Sequence, residues 1–129
     1  MKTSTDPWIV QFFETIDSMD ADNFADYFAA DGQFRFANHP PLEGTSAIAG
    51  GAQGIFGLLN RIRHDIVNFW HAGENILVEG VVNYYRASDG KHLAFPFFSV
   101  FEFADKPGGP IQSYRVFVDS HELFLPAVS

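Results

Sequence analysis

The side chains able to carry chemistry in this 129-residue chain are carboxylates, histidines and tyrosines, because cysteine is absent. Without thiols there is neither a disulfide framework nor a thiolate metal site. The five histidines, at positions 39, 64, 71, 92 and 121, contain no i,i+2 pair for a strand and no i,i+4 pair for a helix, so their spacing implies no bound metal. Glycines 50, 51, 54 and 57 follow no strand and lack the lysine of a phosphate-binding loop, so no nucleotide or other cofactor is implied. What remains is acid–base chemistry. A carboxylate desolvated by an apolar pocket becomes a competent base, a histidine moves a proton either way near neutrality, and a phenol donates to a developing oxyanion. Seven of the sixteen acids lie in the first 31 residues, where helix caps and a solvated helix face are the ordinary use for them.

Positioning such groups requires a scaffold, and the hydrophobic pattern predicts one. Asp6-Pro7 precedes Trp8, Ile9, Phe12, Phe13 and Ile16, which share one face of a helix over about residues 7–19. Asp20 or Asp22 caps a second short helix carrying Phe24, Tyr27 and Phe28, and Asp31-Gly32 reads as the turn that ends it. Gln33 to Phe36 alternates as a short strand, and Asn38-His39-Pro40-Pro41 is a loop because prolines withhold backbone donors. A third helix is expected from Gly44-Thr45 to Asn60, weakened by its glycines at about 1 kcal/mol each relative to alanine. Close approach of its backbone to the sheet or a ligand would account for them. From Arg61 the period becomes two, predicting strands over 61–71, 75–86, 91–104 and 111–121 joined as antiparallel hairpins. The order predicts one α+β domain over residues 1–129, with three helices packed on a strongly curved antiparallel sheet.

The composition limits what this domain meets. Apolar residues make up 47% of the chain and aromatic residues 16%, with fifteen Phe, so a packed core is affordable. A formal net charge of −8 repels phosphate backbones and anionic lipid surfaces, which excludes nucleic acid and membrane as expected partners. Met1 to Val10 lacks a signal-peptide core and no window is apolar enough to span a bilayer, so a cytoplasmic location is expected.

Several short pieces recur here in a fixed order: Asp17 to Asp20 through Phe28 to Asp31, His39 to Gly44, His64, Asp89-Gly90-Lys91, Pro96 to Phe103, and Arg115 to Asp119. Together they resemble the SnoaL-like branch of the nuclear-transport-factor-2-like superfamily over nearly the whole chain. The resemblance implies a cone whose concave sheet face lines a hydrophobic pocket and whose outer face commonly forms a homodimer. It also implies roles: Asp119 as base, His64 as proton donor or orienter, Tyr27 or Tyr84 as donor to an oxyanion, and Asp17 as an acid of the first helix. Trp8, Phe34, Asn68, Trp70 and Phe117 are expected as substrate-contacting walls, with His39 at the mouth. Arginines at 63, 86 or 115 are alternative, purely structural partners for Asp119. The family's chemistry is diverse, and fold alone does not name the reaction. Glu79 to Asn83 lacks the Arg and Asp pair of the epoxide-hydrolase branch, and Phe36-Ala37-Asn38 lacks the base of the ketosteroid isomerases. The expected function is a lyase, isomerase or cyclase acting on a hydrophobic cyclic or polyketide-like molecule. The alternative is a non-catalytic ligand-binding or dimeric scaffold protein.

Overall fold

The computed structural model describes residues 6–126. Helix α1 spans Pro7–Asp17; the Asp6 carboxylate caps it by accepting from the backbone N–H groups of Trp8 and Ile9, and Ile9, Phe12, Phe13 and Ile16 form its buried face. Helix α2 is Ala21–Ala25, capped by Asp20. Strand β1 is Phe28–Phe36, β2 Leu42–Glu43, helix α3 Thr45–Phe56, β3 Leu59–Ala72, β4 Asn75–Arg86, β5 His92–Phe103 and β6 Ile111–Val118, followed by a 3-10 turn at His121–Phe124. The helices cover one face of a single curved sheet, and no helix among the described residues is long and apolar enough to cross a membrane.

The sheet order is β2-β1-β6-β5-β4-β3. The hairpins β3–β4, β4–β5 and β5–β6 are antiparallel as expected, but β1 lies parallel to β6, so the sheet is mixed and not wholly antiparallel. Chain order explains this, because β1 is separated from β6 by the rest of the domain and no tight turn constrains their direction. Several boundaries also differ: the last strand, expected to reach His121, ends at Val118, and the short strand β2 was not expected. Phe28 opens β1 instead of closing α2, and Asp31-Gly32 is an irregularity inside β1, between the pairings Phe28–Ile111 and Gln33–Ser113, not a turn. Helix α3 stops at Phe56, because Leu59 is already the first residue of β3.

Two glycines set close approaches. A Cβ on Gly51 would overlap the Leu42 side chain, so β2 packs directly on the α3 backbone there. On β4, a Cβ at Gly80 would strike the Asp65 carbonyl oxygen and come within 2.9 Å of the Phe97 ring. Opposite Gly80 strand β3 carries a bulge: Ile66 pairs with Gly80 and Asn68 with Glu79, leaving Val67 as the extra residue. At the far end of β4, the buried Arg86 donates to the Glu122 and Leu125 carbonyl oxygens at 2.8 Å each and chelates Asp89 through two nitrogens. That guanidinium holds the Asp89 carboxyl down at about 2 and ties the segment after β6 to the sheet.

Candidate functional site

Inward side chains of the sheet, the α1 to α2 corner and α3 line an apolar, partly open cavity of about 40 Å³. Its walls include Phe24, Phe34, Phe56 and Phe97, and its polar groups come from His64, Tyr84 and Tyr114. By volume it holds about three waters, or a small reacting group. His64 sits on β3 opposite Val82, facing inward, with its side chain only 8% exposed. Its ring lies 4.9 Å from that of Phe13 and 5.4 Å from that of Phe97, so packing fixes its plane.

Asp17, the last residue of α1, reaches across to this histidine. Its Oδ1 lies 2.6 Å from His64 Nδ1, and its Oδ2 accepts from the His64 backbone N–H at 3.1 Å. A carboxylate at a helix C-terminus gains nothing from the helix dipole. The backbone bond supplies a fixed donor that holds it in place. An anionic Asp17 stabilises the tautomer with the proton on Nδ1 and leaves Nε2, which has no protein partner among the described residues, as the group offered to a ligand. Tyr84 lines the same cavity at 3% exposure, and its hydroxyl also has no protein partner among the described residues. Burial pushes the phenols of Tyr84 and Tyr114 well above their ordinary range, so both stay protonated and able only to donate a proton in a hydrogen bond or accept one, not to act as anions.

Of the residues expected at the site, the structure brings together His64, Tyr84 and Phe34 around the cavity and Asp17 behind His64. His39 stands outside that cavity, in a neighbouring hollow. The others are elsewhere. Asp119 is exposed beyond the end of β6, where it accepts from the His121 backbone N–H at 3.2 Å. Within β6 Tyr114 and Val116 point inward and Phe117 outward, and because the strand stops at Val118, Asp119 falls in the exposed turn that follows. None of the arginines considered for it is its partner, since Arg115 faces Glu102 at 3.9 Å, Arg63 pairs with Asp65 and Arg86 with Asp89. Phe117 is 53% exposed on the outer face. Asn68 and Trp70 pair with Glu79 and Leu77 on that same outer face, because the Val67 bulge reverses the alternation that would otherwise have kept them beside His64. Trp8 and Tyr27 belong to an aromatic cluster with Phe12, Phe101 and Phe103, and the Tyr27 hydroxyl lies 3.4 Å from Thr15 Oγ1. Tyr114 was not anticipated, although its period-two relation to Val116 carried the signal. Among the described residues, no three His, Asp or Glu side chains come together as a metal site would require.

Comparison with known proteins places the fold. A family model described as a SnoaL-like domain matches residues 9–108. No curated protein matches the sequence. Solved structures do match in fold. A ketosteroid isomerase-like protein from Catenulispora acidiphila, in complex with trimethylamine, superposes with a TM-score of 0.78 at 16% identity, covering 88% of this chain and 86% of its own. A candidate SnoaL-like polyketide cyclase from Jannaschia sp. CCS1 gives 0.76 at 16% identity, covering 95% and 94%. An epoxide hydrolase/cyclase-like enzyme with a role in pyran ring formation in the polyether salinomycin gives 0.74 at 16% identity, covering 88% and 89%. At such identities the superpositions establish the shared fold and nothing finer.

Proposed function

The chain belongs to the SnoaL-like domain family, and on that premise we propose that its cavity is the active site of an acid–base lyase, isomerase or cyclase acting on a hydrophobic cyclic or polyketide-like substrate. The observation that carries this reading is the part-buried Asp17–His64 pair, whose histidine lines an otherwise apolar cavity. His64 Nε2 takes a proton from carbon or oxygen of the substrate. Asp17 orients the ring and stabilises the imidazolium that forms. Tyr84 donates to the oxygen on which negative charge develops, and His64 returns its proton to the leaving oxygen or to the adjacent carbon. Asp17 is a positioning residue in this scheme, since it touches the histidine and not the substrate.

Proton removal next to a carbonyl is one reaction that such a base performs, and it can be tested without the natural substrate. The protein should catalyse deuterium exchange at the α-carbon of acetone in D2O, and Asp17→Asn should slow that exchange by about 10-fold or more, with little change in KM. Equal exchange by wild type and Asp17→Asn would remove the pair from the chemistry.

The outer sheet face supports pairing of two copies of this chain. Trp70 is 42% and Phe117 53% exposed there, Trp70 lies 6.2 Å from Phe98, and Phe98 is the strand neighbour of Phe117, so the exposed aromatics form one patch across β3, β5 and β6. Wild type should sediment as a dimer and the double variant Trp70→Glu, Phe117→Glu as a monomer with an unchanged far-ultraviolet spectrum. A wild-type monomer at micromolar concentration would refute the pairing.

A further inference from the structure

The cavity beside His64 does not stand alone. A second hollow of about 290 Å³ adjoins it, and the two share Phe34, Phe36 and Ile55 as common walls. This outer hollow runs beneath α3 to the His39-Pro40 loop and ends at Phe124, whose ring lies 4.9 Å from that of His39. Its lining contains no Lys, Arg, Asp or Glu. At its inner end is a chamber too small for a ring system. In that chamber, the buried His64 and Tyr84 each present a polar atom that no protein group uses, so a ligand's polar head belongs there.

Helix α3 supplies an independent observation. A Cβ at Gly51 would meet the Leu42 side chain, whereas a Cβ at Gly50 or Gly54 would meet nothing within 4 Å. Packing within the chain therefore gives no reason to forgo the helix propensity lost at Gly54, and Gly54 is a lining residue of the outer hollow, whereas Gly50 lines neither space.

We propose that the two spaces form one divided binding site for an elongated, uncharged ligand: a small oxygen-bearing head seated against His64 and Tyr84, and an apolar arm of ring or short-chain size lying in the outer hollow along Gly54. The arm supplies binding energy away from the reacting atoms, and the narrow inner chamber admits only the head. The proposal rests on the assignment of the inner cavity as the active site, and adds the size and polarity of what occupies it.

Phenol and 4-butylphenol serve as probes, their hydroxyl standing for the head and the butyl group for the arm. Each buried CH2 contributes roughly fourfold in affinity, so 4-butylphenol should bind wild type about 10-fold or more tighter than phenol by calorimetry. Gly54→Leu, which fills the outer hollow with a helix-favouring side chain, should bring that ratio close to one. Gly50→Leu, on the same helix, should keep the wild-type ratio. A ratio preserved in Gly54→Leu, or lost equally in both variants, would overturn the divided site. A ratio near one in wild type would overturn it as well. Failure of the active-site assignment reads differently: His64→Gln would then leave phenol binding intact, whatever the butyl group contributes.

Discussion

Replacing His64 by Gln should lower kcat about 10²- to 10⁴-fold, the range over which a single positioned proton-transfer group acts. Glutamine retains a donor toward Asp17 Oδ1, which lies 2.6 Å from the histidine Nδ1, and approximates the ring's volume between Phe13 and Phe97. The fold should therefore be intact, with a melting curve close to wild type. Asp17→Asn alone should cost less, because the imidazole remains but loses the acceptor that fixes its tautomer. Combined with His64→Gln, it should cost almost nothing further, since both residues act through one proton-transfer event. Strict additivity of the two losses would mean that Asp17 acts on the substrate by a route independent of the histidine.

Gly80→Ala should destabilise the protein by about 3 kcal/mol, at the upper end of what overpacking a filled interior costs. The added methyl meets the Asp65 carbonyl oxygen, a backbone atom, and the Phe97 ring behind it, so no simple rotamer change relieves the overlap. Relief requires β3 to move off β4 at the pairing of Ile66 with Gly80, next to the bulge that turns Asn68 and Trp70 to the outer face. Urea unfolding should show a lower midpoint. His64, two residues along β3, should lose part of its fixed geometry, and catalysis should fall with stability. An unchanged midpoint would show that the strands separate there at no cost and that the close approach does not hold the bulge.

Much of the architecture was legible because local forces dictate it. Asp6-Pro7 followed by Trp8, Ile9, Phe12, Phe13 and Ile16 leaves a helix no other face to bury, and the observed α1 buries Ile9, Phe12, Phe13 and Ile16. The strands β3 to β6 followed from alternation and glycine-containing turns. The start of β1 was missed because Phe24, Tyr27 and Phe28 fit helical spacing, while the force that makes Phe28 a strand residue is its pairing with Ile111, more than eighty residues away. The site divided in the same way. His64 and Tyr84 lie on strands whose inward parity persists along their length, so both reach the cavity. Asn68 and Trp70 share His64's parity in the sequence yet face outward, because an extra residue at Val67 cannot be recognised from period two alone.

By itself, then, the sequence determined the α+β class, the apolar character of the core and the absence of thiol chemistry, since each depends on residue type and near-neighbour periodicity. Only the tertiary structure decided that the carboxylate beside His64 is Asp17 and not Asp119. Those two acids are equally charged, and the family resemblance pointed to Asp119 as the base; what separates them is that the end of α1 crosses β3 while the residue after β6 turns out to solvent. Such crossings are set by the packing of the whole core and leave no local mark on either residue.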